Sequence, residues 1–130
     1  MKIHESAENY LETILVLKQR NGNVRAIDIA NELEFSKPSV SVAMKNLRTN
    51  GYIHVDDNGS INLRPEGEKI AREIYEKHTL LTRYLVNLGV PEAIAAEDAC
   101  RMEHVISKES FEAIKAHAAK YGYVNVEEGI

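Results

Sequence analysis

The stretch Glu34-Phe35-Ser36-Lys37-Pro38 decides the fold of this chain. Ser36 can accept a hydrogen bond from the first turn of a helix, and Pro38 is tolerated only inside such a first turn. A helix therefore starts here. Val40, Ala43, Met44 and Leu47 give it an inward face, and Asn50-Gly51 stops it after about Thr49. Just before it, Ala26 to Leu33 reads as a short helix with Ile27, Ala30 and Leu33 on one face. Just after it, Tyr52-Ile53-His54-Val55 and Ser60-Ile61-Asn62-Leu63 read as strands around the turn Asp56-Asp57-Asn58-Gly59. Two short helices, a tight turn between them and a hairpin behind them predict a winged helix-turn-helix.

Such a unit reads double-stranded DNA by laying its second helix in the major groove. The free face of that helix begins with Ser36, Lys37, Ser39 and Ser41, small or basic residues near the end where base edges are met. Pro38 can touch a thymine methyl, and Lys45 and Arg48 can engage phosphates. The wing tip carries Asp56 and Asp57, which predicts a weak contact with the DNA backbone.

Upstream, Ser6 is expected to cap a first helix that ends near Asn21-Gly22-Asn23. Downstream, Pro65-Glu66-Gly67-Glu68 opens a long helix to about Leu88, and Gly89-Val90-Pro91 breaks it. A further helix is predicted over about 91–106, and Ser107 caps a last one to about Lys120. From Gly122 onward no pattern is readable. The fold class is mainly α: a winged helix-turn-helix DNA-binding domain over 1–64, then an all-helical domain over 65–130.

The 130 residues carry 44% hydrophobic and 28% charged side chains, as expected of an ordinary globular chain. Net charge is −4, unevenly placed. Residues 1–72 hold ten basic and ten acidic side chains; residues 73–130 hold six and ten. Only the first half can turn a basic face to phosphate. One cysteine excludes an internal disulfide and a four-cysteine zinc module. The longest aliphatic run, Ile14-Leu15-Val16-Leu17, is far too short for a membrane span, and the N-terminus has no signal-peptide core. The expected location is the cytoplasm.

The chemistry concentrates in Cys100-Arg101-Met102-Glu103-His104. On a helix, Cys100, Glu103 and His104 share one face, and thiolate, carboxylate and imidazole together suit a divalent transition metal. Three groups do not fill a coordination sphere. Asn9 and Glu12 on the first helix, and His78 on the long one, are the further donors. Each alone is ordinary: a lone helix Glu is usually solvated, and a lone Cys is usually a small apolar residue.

Several segments together resemble the iron- and manganese-dependent repressors of the diphtheria toxin repressor and MntR type. They are Glu8-Asn9-Tyr10-Leu11-Glu12-Thr13-Ile14, Asp28-Ile29-Ala30, Lys37-Pro38-Ser39-Val40, Gly67, Lys77-His78-Thr79-Leu80-Leu81 and, most specifically, Asp98 through Ser107. The resemblance implies a homodimeric repressor of metal-homeostasis genes, binding palindromic operator DNA, whose second domain serves dimerisation and metal binding. It resembles the short, two-domain members. Carried over by position, Glu12, His78, Glu103 and His104 match ligands of the manganese members. Cys100 matches a ligand position where Cys is typical of the iron branch. Asn9 stands where manganese members have Asp. Thr82 and Ala96 stand at ancillary ligand positions of the iron branch, and neither is a plausible ligand there.

The implied cofactor is Mn(II) or Fe(II), with Zn(II) or Co(II) able to bind in vitro, since Cys100 is soft and Asn9 and Glu12 are hard. By the same resemblance a paired site for two metal ions is implied as an option, with Asn9, Glu12, His78 and Glu103 on one ion, and Glu12, Cys100, Glu103 and His104 on the other. Leu80, Leu81, Tyr84, Leu85, Val86, Leu88, Val90 and Ile94 crowd one segment and independently suggest a homodimer. Two alternatives stand beside this reading. One is a metal-free winged-helix regulator with Cys100 as a redox sensor. The other, a metalloenzyme, is disfavoured because no base, nucleophile or oxyanion arrangement accompanies the cluster.

Overall fold

A computed structural model describes residues 5–121. Six helices and one hairpin follow in the order α1 (Glu5–Asn21), α2 (Ala26–Leu33), α3 (Lys37–Thr49), β1 (Ile53–Val55), β2 (Ile61–Leu63), α4 (Pro65–Asn87), α5 (Glu92–Met102) and α6 (Lys108–Lys120). The chain divides into two compact units, Met1–Glu73 and Ile74–Ile130, with the division inside α4. The readings made for the N-terminus before Glu5 and for the tail from Gly122 lie outside the described residues.

The first unit is the winged helix-turn-helix expected from sequence. Ser36 caps α3: its hydroxyl oxygen accepts from the Ser39 amide at 3.3 Å, and its own proton goes to the Ser39 hydroxyl at 2.8 Å. Pro38 sits in the first turn. Val40, Met44 and Leu47 are buried, as their spacing predicts. The turn into α3 is closed by Glu34 in the left-handed region, with the Phe35 amide on the Ala30 carbonyl at 3.0 Å. On α2 the inward face differs from the expected one. Ile29 and Ala30 are buried, whereas Ile27 is 40% exposed. Residues 27, 29, 30 and 33 offer two apolar stripes, and packing against α1 and α3 selects the one through Ile29. Ser6 lies inside α1 rather than capping it.

The wing is an antiparallel pair with Ile53 opposite Leu63, His54 opposite Asn62 and Val55 opposite Ile61. Ile53 and Ile61 point into the core. At the tip Gly59 takes a positive φ, and its amide reaches the Asp56 carbonyl at 2.9 Å. The Asp56 carboxylate is occupied on both oxygens, by His54 Nε2 at 3.0 Å and Asn62 Nδ2 at 3.3 Å. Asn62 in turn accepts from Lys18 of α1. The β2 edge is tied to the loop after α1 by the Ile61 amide on the Val24 carbonyl, 2.8 Å.

Gly67 explains how α4 enters this unit. A Cβ at that position would lie 2.2 Å from the Tyr52 carbonyl oxygen, which also accepts from the Arg64 amide at 2.9 Å. Only glycine lets the first turn of α4 come so near the strand that leads into the wing.

In the second unit Leu80, Leu81, Ala99 and Phe111 form a buried cluster, with Met102, Ile106 and Ile114 against it. Ser107 caps α6 through the Ser110 amide at 3.0 Å. The helix before it is shorter than its pattern suggests. It ends at Met102 rather than near Ile106, and the Met102 carbonyl takes both the Val105 and Ile106 amides, at 3.1 and 2.9 Å. Glu103 and His104 therefore sit in a turn at the C-terminal end of α5. Val86, Leu88, Ile94 and Val105 remain exposed apolar side chains. No helix among the described residues is long and apolar enough to cross a membrane.

Candidate metal centre and DNA-reading face

Glu103 is the most unusual residue of the second unit: a carboxylate only 1% exposed. It keeps helical dihedrals past the end of α5, and its amide still reaches the Ala99 carbonyl at 2.9 Å, which turns the side chain inward. One oxygen, Oε2, meets His78 Nδ1 of α4 at 3.0 Å. The other, Oε1, lies 3.3 Å from His104 Nε2, within ion-pair reach but without hydrogen-bond alignment. Buried Oε1 has no hydrogen-bond partner among the described residues. Leaving such an acceptor unsatisfied costs about 1–3 kcal/mol, more for a charged group. The His104 side chain is 3% exposed and that of His78 is 28% exposed. Thr82 is buried and donates its hydroxyl to the His78 carbonyl at 2.7 Å, one turn along α4.

Two imidazoles around a buried carboxylate with an unmatched oxygen fit a divalent transition ion well. The donors are nitrogen and oxygen, and the ion would satisfy the orphaned acceptor. The structure thus brings together three of the six residues singled out from sequence: His78, Glu103 and His104. Cys100 is exposed although it lies only three residues before Glu103, in the last turn of α5. Glu12 is buried in α1, and Asn9 is partly buried one turn before it, with its carbonyl taking the Thr13 hydroxyl at 2.8 Å.

On α3 and its N-cap all seven residues expected to meet DNA are exposed: Ser36, Lys37, Pro38, Ser39, Ser41, Lys45 and Arg48. Sequence reading missed one neighbour, Val42, which is 62% exposed. The signal was available: a residue two positions after Val40 and two before Met44 must face away from a core that holds both.

A helix-turn-helix with an exposed, polar second helix, followed by a helical unit built around a donor cluster, defines a metal-responsive DNA-binding regulator. The comparisons agree. Residues 2–60 match the N-terminal DNA-binding domain of the iron-dependent repressors, and residues 64–121 match their metal-binding and dimerisation domain. The transcriptional regulator MntR of Escherichia coli O157:H7 is 36% identical over 118 residues, covering 91% of this chain and 76% of that protein. The diphtheria toxin repressor of Corynebacterium glutamicum is 34% identical over 106 residues, 81% of this chain and 46% of the repressor. The solved structure of the manganese regulator SloR superposes with a TM-score of 0.77 at 27% identity, over 97% of this chain and 57% of SloR. The chain belongs to the iron-dependent repressor family, whose members regulate transcription in response to metal. A thiol-based redox sensor finds no support in these matches.

Proposed function

We propose that this protein is a homodimeric, non-enzymatic repressor that works in the cytoplasm and grips a palindromic operator when Mn(II) or Fe(II) is bound. Residues 1–64 are assigned to DNA binding and 65–130 to dimerisation and metal binding. The observation that carries the reading is Glu103, a buried carboxylate between two imidazoles with one oxygen unmatched.

His78, Glu103 and His104 are the core ligands in this reading. Family position adds Asn9 and Glu12 of α1 and Cys100 of α5. A divalent ion supplies positive charge and several coordination positions at once. Glu103 holds His78 through Oε2 and lies beside His104. In this reading metal occupancy and operator binding are linked as one equilibrium. Operator DNA then tightens metal binding by the same factor by which metal tightens DNA binding. Val86, Leu88, Ile94 and Val105 are the apolar residues assigned to the dimer contact.

The test is an anaerobic titration of the apo protein with Mn(II), Fe(II), Co(II) and Zn(II), followed by anisotropy on a fluorescent duplex pool at each loading. Metal-dependent DNA affinity supports the reading. Equal affinity with and without every metal overturns it. Three variants sharpen the result. Lys37→Ala and Lys45→Ala should each weaken binding across all sequences and lower the salt slope by about 1; unchanged affinity and slope would remove α3 from the interface. Cys100→Glu trades a soft donor for a hard one and should move the metal ranking toward Mn(II) with DNA binding retained. An unaltered ranking would leave Cys100 outside the coordination sphere.

A further inference from the structure

We propose that Val42 is a specificity-determining residue, reading the C5 methyl group of a thymine in the major groove. The inference rests on the repressor reading above and adds to it a base contact of defined chemistry.

Pro38, Val42, Lys45 and Thr49 follow one another at i, i+4, i+7 and i+11 along α3, so they form a single row. All four are exposed. The row lies opposite the buried Val40, Met44 and Leu47. A helix laid in the major groove presents the N-terminal part of that opposite row, Pro38 and Val42, to the base edges, with Lys45 beyond it toward the phosphates. Val42 is at the middle of the row, and it is 62% exposed.

The hydrogen-bonding residues around it divide the work. The Ser36 hydroxyl is spent within the cap: its oxygen accepts from the Ser39 amide and its proton goes to the Ser39 hydroxyl. Ser39 keeps one proton to donate to an acceptor on a base. Lys45 brings charge one turn further on. None of these can recognise a methyl group. Thymine is the one base that places a methyl group in the major groove, and an apolar side chain is what recognises it. A branched, stiff valine pays little ordering entropy for such a contact. Pro38, four residues earlier, extends the same apolar strip, so the pair together favours two nearby thymines.

The experiment uses the full chain loaded with Mn(II), wild type and Val42→Ala. Each is used to select duplexes from a randomised pool. Every thymine of the selected duplex is then replaced, one at a time, by deoxyuridine, which removes only the methyl group. At one symmetry-related thymine position the wild type should lose roughly five- to tenfold in affinity, while Val42→Ala changes by less than twofold there. Val42→Ala should melt at the wild-type temperature, since the side chain is exposed and alanine is a good helix former. Identical deoxyuridine profiles for the two proteins would overturn the assignment. Enrichment of no duplex by either protein would overturn the repressor reading, and this contact with it.

Discussion

Glu103→Gln should give a protein that folds at least as well as the wild type without metal, and that no longer tightens on DNA when metal is added. The substitution keeps the shape and removes the charge. In the apo protein the wild-type carboxylate is buried with one oxygen lacking a hydrogen-bond partner among the described residues, a burden of about 1–3 kcal/mol. The amide can still meet His78, so the expected change in apo melting temperature is zero or a rise of a few degrees. Metal should raise the wild-type melting temperature, as any ligand specific to the native state does, and leave the variant unmoved. The metal-dependent gain in DNA affinity, on the order of 5- to 150-fold for a typical coupling, should vanish. A variant that melts well below wild type and still responds to metal would mark Glu103 as a packing residue.

Gly67→Ala should destabilise the first unit by about 2 kcal/mol, lowering its melting temperature by on the order of 10 °C. Two effects oppose each other. Alanine is the better helix former by about 1 kcal/mol. Against that, its Cβ would stand 2.2 Å from the backbone oxygen of Tyr52. A backbone carbonyl already bonded to the Arg64 amide cannot rotate away, so overpacking, worth about 1–3 kcal/mol and at times more, outweighs the propensity gain. Urea unfolding of the two proteins side by side measures the difference; a more stable variant would show that the approach of α4 to the wing strand is not required.

Features set by a few neighbouring residues were legible in the sequence. Ser36 with Pro38, Ser107 with its following turn, and Asn58-Gly59 each specify a local geometry that tertiary packing leaves intact. The buried stripe of α2 was not legible, because Ile27 and Ile29 are equally apolar and only the neighbouring helices choose between them. The end of α5 was missed for a related reason. Between Cys100 and Ile106 there is no glycine or proline, and the stop comes from the Met102 carbonyl taking two amides at once. The donor cluster was read from Cys100, Glu103 and His104 at helical spacing, with His78 as a further donor on the long helix, and the structure places His78, Glu103 and His104 side by side. The spacing could not show that Cys100 is exposed while Glu103 is enclosed, since enclosure depends on the rest of the fold.

The acidic tip of the wing bears on how faithfully such a regulator can report. A coupling of about 1–3 kcal/mol separates the on and off states by a finite ratio, and that ratio is wasted if the metal-free protein already saturates its operators. Sequence-independent attraction to phosphate raises both states equally. Asp56 and Asp57 oppose that attraction, with Asp56 held in place by His54 and Asn62. On the proposed function, the wing limits the leak of the switch: poor adhesion there keeps the resting state quiet, so that a modest signal decides whether the gene is read.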